Sequence, residues 1–98
     1  MPRVELAPEV GDDLDRIFEH LVQHDAVDAP SRIREIIQAI NVLEQSPFIG
    51  RPVFADMREL VIGRRSHGYV ALYRYAAEID TVIVLALRGQ REAGYTKS

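Results

Sequence analysis

Ninety-eight residues make one domain, and the absence of cysteine removes disulfides, thiolate zinc sites and iron–sulfur clusters from consideration. Hydrophobic residues make up 47% and charged residues 28%, a globular balance that excludes intrinsic disorder. The net charge of −3 is unevenly spread: residues 1–50 carry −6 and residues 51–98 carry +3, which excludes a uniformly basic protein and predicts a dipolar one.

Arg3 to Leu6 alternates Val4 and Leu6 with polar residues and reads as an edge strand or lead-in. Ala7-Pro8-Glu9 opens a first helix, since proline at the first turn sacrifices no hydrogen bond, and Glu9, Asp12 and Asp13 complement the helix dipole. Val10, Leu14, Ile17, Phe18, Leu21 and Val22 trace one apolar helical face. Gln23 to Ala29 is a polar break. Asp28 then caps a second helix with Pro30 in its first turn, and Ile33, Ile36, Ile37, Ile40 and Leu43 form its apolar face. Ser46-Pro47 ends that helix, and two such helices on a short linker form an antiparallel hairpin.

Residues 47–52, with two prolines and a glycine, read as a rigid loop. Three strands follow: Arg58 to Ile62, Tyr69 to Tyr75, and Ile79 to Leu87. The last is almost wholly apolar, which places it inside the sheet with both faces covered. Residues 88–95 form a short polar tail. The order is β-α-α-β-β-β, an α+β fold in which a helical hairpin covers one face of a small antiparallel sheet, with residues 1–98 as a single domain. No signal-peptide core or membrane-length apolar run is present, and a cytoplasmic protein with no membrane partner is expected.

Chemistry-bearing motifs are few. His20 and His24 stand at i, i+4 but supply only two ligands, so no metal is expected, and no cofactor-binding motif is present. The serines lack the setting of an activated nucleophile, so no catalytic residue is assigned. Arginine is the informative residue: Arg51, Arg58, Arg64, Arg65, Arg74, Arg88 and Arg91 all fall in the second half, interleaved with Tyr69, Tyr73, Tyr75 and Tyr95. Arg and Tyr concentrate at macromolecular contact surfaces. Taken singly, each arginine is as well explained by pairing with Glu59, Glu78 or Glu92. Taken together they point to a binding face.

The segments PFIGRPV (47–53), RELVIGR (58–64), GYVALYRY (68–75) and VLALRGQREAGY (84–95) resemble, in this order and spacing, the ParE/RelE superfamily of bacterial type II toxin–antitoxin toxins. The resemblance covers nearly the whole chain and implies the fold reached above. It also implies a cognate antitoxin, ParD-like in the ParE branch, and a place in a plasmid-stabilisation or addiction-like module. RelE-type members cut ribosome-bound mRNA, whereas ParE-type members poison DNA gyrase by binding. With Gly68-Tyr69 set on the family's turn, the lysines of the nuclease pattern fall on Val61 and Gly63 and its arginine on Val70, while Arg88 and Tyr95 are retained. Metal-free phosphodiester cleavage needs groups that move protons and stabilise developing charge, and valine and glycine supply neither. The resemblance therefore implies a gyrase-binding toxin, with Arg64, Arg65, Arg74, Arg88, Arg91 and Tyr95 as target-binding candidates. A RelE-type mRNA interferase and a degenerate toxin that only binds antitoxin are the alternatives.

Overall fold

The computed structural model describes residues 1–24, 28–63, 68–92, 94 and 95. Strand β1 (Arg3–Leu6) leads into helix α1 (Pro8–Gln23) and helix α2 (Ala29–Asn41), which continues into a 3₁₀ turn at Val42–Glu44. Strands β2 (Arg51–Phe54), β3 (Met57–Ile62), β4 (Tyr69–Ala76) and β5 (Thr81–Gly89) follow, and the sheet order is β1-β5-β4-β3-β2. The helix starts obey the expected chemistry. Pro8 opens α1, and the Asp28 carboxylate, on a residue in the left-handed region (φ 60°), accepts the Ser31 N–H at 3.3 Å to cap α2.

The α+β hairpin-on-sheet architecture stands as expected, with two differences in the sheet. It is mixed rather than wholly antiparallel, because β1 runs parallel to β5, Arg3 beside Thr81 through Leu6 beside Val84. Residues 51–54, read as loop and following segment, form the edge strand β2, which pairs with β3. Proline is admissible there because an edge strand need not donate on both sides. As expected, β5 lies inside the sheet, flanked by β1 and β4.

The core lies between the helices and one sheet face. Val10, Ile17 and Leu21 of α1 and Ile36 and Ile40 of α2 pack with Leu43, Ile62, Ala71, Tyr73, Val82, Val84 and Leu87. The apolar stripe of α1 is narrower than its sequence suggests. Phe18 and Val22 are 39% and 53% exposed, and the buried row contains Asp13 instead. The reason lies at the sheet edge. Pairing of β1 with β5 stops just past Val84, where the Ala7 N–H reaches the Val84 carbonyl at 2.8 Å. Beyond that point α1 takes the place of a strand: Asp13 Oδ2 accepts the Leu87 N–H at 2.9 Å, and Arg16 Nη2 donates to the Leu87 carbonyl at 3.1 Å. Both backbone groups of a buried residue are thereby satisfied by side chains.

Tyr73 fixes the loop before β2. Its fully buried ring carries a hydroxyl that accepts from the Gly50 N–H at 2.8 Å and donates to the Pro47 carbonyl at 2.9 Å. A Cβ at position 50 would stand 2.7 Å from the Tyr73 ring and hydroxyl and 2.8 Å from the Glu59 carbonyl, so only glycine allows this approach.

Candidate functional site

The face of the sheet turned away from the helices carries the charged cluster. Successive residues of a strand point to opposite faces. Because Tyr73 and Ala71 face the core, Val70, Leu72 and Arg74 face outward, and with them their cross-strand partners Val61 and Glu59 of β3. Arg88 reaches this face only because of a bulge. Leu72 pairs with Ala86 while Tyr73 pairs with Val84, so Leu85 is an extra residue in β5. Beyond it the alternation is inverted: Val84 and Leu87 both enter the core, and Arg88 lies outward opposite Val70. Simple alternation would have sent Arg88 into the core with Val84.

At this end of the face Glu59 gathers three partners. Arg51 donates to Glu59 Oε1 from Nη2 at 3.0 Å and from Nε at 3.3 Å. The Tyr95 hydroxyl donates to Oε2 at 2.7 Å, and Arg88 Nη2 lies 3.9 Å from the same oxygen. The Arg88 guanidinium stacks over the Tyr95 ring, 5.2 Å from its centroid, and its Nη1 donates to the Gly89 and Glu92 carbonyls. Burial alone would raise the Glu59 pKa. The Tyr95 hydrogen bond and the two guanidinium groups outweigh it and hold the carboxyl below its ordinary value. The same contacts push the Tyr95 phenol well above its usual range, first through burial and then because its proton is held by Glu59.

At the other end, Arg74 donates from Nε to Asp56 Oδ2 at 3.0 Å, across the β2–β3 turn. Arg74 and Arg88 thus share a face, roughly 13 Å apart along the strands. Between them lies an apolar stretch containing Val70 and Leu72.

Of the six sequence-predicted residues, Arg74, Arg88 and Tyr95 come together on this outer face. Arg91 does not: it lines a separate groove against α1, with Arg16, His20, Arg32 and Tyr69. Its separation follows from the turn after β5, where the Glu92 N–H closes on the Gly89 carbonyl. Arg64 and Arg65 lie outside the described residues. The pairing of arginines with Glu59 that the sequence offered is found, with Arg51 and Arg88, whereas Asp56, the partner of Arg74, was missed. Four-residue spacing on β4 places Val70 and Arg74 on one face, but nothing local reveals that Arg74 meets Asp56. His20 and His24 do stack, with ring centroids 4.1 Å apart, and among the described residues no third ligand joins them.

This arrangement of helices and sheet has known counterparts. The family model for the ParE toxin of type II toxin–antitoxin systems matches residues 4–94. The chain belongs to the ParE toxin family. It is the toxin component of a type II toxin–antitoxin pair. A relative named toxin RelE3, from Caulobacter vibrioides, is 32% identical over 92 residues, spanning 94% of this chain and 98% of that one. Among solved structures, the chromosomal ParDE system of P. aeruginosa superposes with a TM-score of 0.76 at 22% identity, covering 91% of this chain and 96% of that one. The intact E. coli RelBE toxin–antitoxin complex gives a TM-score of 0.65 at 15% identity, with coverage of 94% and 99%. The structural likenesses establish the fold; the ParE family membership rests on the family match over residues 4–94.

Proposed function

We propose that this ParE-family toxin acts by binding DNA gyrase, is not a ribosome-dependent nuclease, and is held silent by a cognate ParD-like antitoxin. The supporting observation is the row Val61, Val70, Arg88 across β3, β4 and β5 on the outer face. Two of its three positions are apolar where cleavage would need groups that transfer protons or stabilise a phosphorane. Among the described residues the charged groups of this face pair with one another. Glu59 takes up the charge of Arg51 and Arg88, Asp56 takes up Arg74, and the Tyr95 proton is bound to Glu59 rather than free to be exchanged. Such a face suits recognition through shape, paired charge and an apolar strip. The solved neighbours, titled as ParDE and RelBE toxin–antitoxin systems, support an antitoxin as the second partner.

The test is a gyrase supercoiling assay with the purified chain, run beside an in vitro translation reaction probed for mRNA cuts. Inhibited supercoiling or accumulated cleaved-DNA complex, with intact mRNA, is the expected result. Cut mRNA with unaffected gyrase would overturn the reading and assign chemistry to Arg88 and Tyr95.

A further inference from the structure

Arg88 belongs to the outer face and yet is withheld from it. Its side chain is only 17% exposed. A guanidinium has only donors to offer, and those of Arg88 meet the chain itself. Nη1 donates to the Gly89 carbonyl at 3.2 Å and to the Glu92 carbonyl at 3.3 Å, and Nη2 stands 3.9 Å from Glu59 Oε2. Nε is buried and has no partner among the described residues. The cover is the segment that follows β5. It turns where the Glu92 N–H closes on the Gly89 carbonyl, and Tyr95 then lays its ring over the guanidinium. Two side chains hold the segment down. Glu92 pairs with Arg16 of α1, and the Tyr95 hydroxyl donates to Glu59 Oε2 of β3 at 2.7 Å.

The two fastenings differ in strength. Both side chains of the Arg16–Glu92 pair are about one-third exposed, where water screens an ion pair and leaves it weak. Glu59 is largely covered, so the Tyr95 hydroxyl meets a charged acceptor out of water, and this is the stronger clasp. Between the two, Gly94 packs on nothing: a Cβ there would find no atom within 4 Å. The closed arrangement also carries a cost, because the buried Nε lacks an acceptor that water would supply on opening. We propose that the turn after β5, with Glu92 and Tyr95, is a strap that closes over Arg88 in the free toxin, and that release of Tyr95 from Glu59 is the step that exposes Arg88 to the target. The proposal rests on the outer face being the working surface of the toxin, but not on gyrase being what it meets. Tyr95 is then a cover and not a contact. A protein whose binding-competent state is only fractionally populated binds more weakly by that fraction, so the strap lowers potency and loosening it raises potency.

Tyr95→Phe keeps the ring over Arg88 and removes only the hydroxyl that reaches Glu59. Tryptic cleavage after the exposed Arg91, followed by mass, reads the strap directly and should quicken about threefold. The concentration that half-inhibits supercoiling should fall about threefold as well. The reverse perturbation exploits the absence of cysteine. In Glu59→Cys/Tyr95→Cys the two thiols are the only ones in the chain, and a short bismaleimide ties the strap shut. The cross-linked protein should be about tenfold or more less inhibitory than the same variant capped with N-ethylmaleimide. If the double variant fails to fold by circular dichroism, Tyr95→Phe carries the test. Unchanged cleavage after Arg91, weaker or unchanged inhibition by Tyr95→Phe, or equal inhibition by the cross-linked and capped forms would each overturn the proposal. Where the parent leaves supercoiling untouched, the gyrase reading fails by itself. Growth arrest on induction of Tyr95→Phe beside the parent then reads the strap: a stronger arrest supports it, and an equal or weaker one overturns it.

Discussion

Replacing Tyr73 by Phe removes one oxygen atom from the most constrained contact in the sheet. The ring itself stays, fully buried and packed against the core, so no large cavity opens. What is lost is the acceptor for the Gly50 N–H and the donor to the Pro47 carbonyl. Gly50 is buried, and an N–H left without a partner in such a place costs about 1–3 kcal/mol. Taking about 2 kcal/mol, a domain of this size should lose roughly 8–16 °C in Tm. Tyr75→Phe is the matched control, because its hydroxyl meets only Asp80 at an exposed position and its removal should leave Tm unchanged. The assay is thermal unfolding followed by circular dichroism, with urea unfolding as a second measure. Should Tyr73→Phe melt within about 2 °C of the parent, loop 47–50 would not depend on this hydroxyl and the reasoning would fail.

Asp13→Ala strips the buried Leu87 N–H of its acceptor and should cost about 1–3 kcal/mol, while Asp13→Asn keeps an acceptor oxygen and should cost less; urea midpoints distinguish the two. Glu59→Gln leaves Arg51 and Arg88 without their shared carboxylate and returns the Tyr95 phenol toward its ordinary titration range, which an absorbance titration at alkaline pH would register. The Glu59 pKa lies below its unfolded value, so its contribution to stability is present above about pH 4.5 and is lost as the pH falls further. Acid unfolding of the parent should therefore be steeper than that of Glu59→Gln. The opposite sign holds for Tyr69, Tyr73 and Tyr95, all raised chiefly by burial: their contribution is complete below about pH 10 and declines as the pH rises beyond it, so urea midpoints should fall between pH 9 and pH 11.

Local chemistry made most of the elements legible in the sequence. Pro8 and Asp28 mark helix starts because their effects are confined to one turn, and β3, β4 and β5 are recognisable from their β-formers to within two residues at each end. The direction of β1 was not legible, because a short alternating segment pairs equally well with a strand running either way. Strand β2 was hidden by Pro52, whose restriction on pairing matters less at an edge. On the outer face, composition singled out Arg88 and Tyr95 as candidates. Their outward placement depends on the extra residue at Leu85, and no turn or glycine in the sequence announces it. Asp13 misled for a related reason: at the start of a helix a carboxylate suits the dipole, and only the end of β1 turns it into a buried partner for Leu87.

The parallel pairing of β1 with β5 bears on how the toxin comes into being. The strand made first finds its partner only among residues 81–84, so the sheet cannot close while the C-terminal fifth of the chain is still unmade. Contacts between such distant parts of a chain form late and slow folding. A nascent copy on the ribosome thus lacks both the edge clamp at Leu87 and the outward Arg88, and the assembled face exists only in completed molecules. In the toxin component of a type II toxin–antitoxin pair, the outer face is therefore the last part of the molecule to be completed.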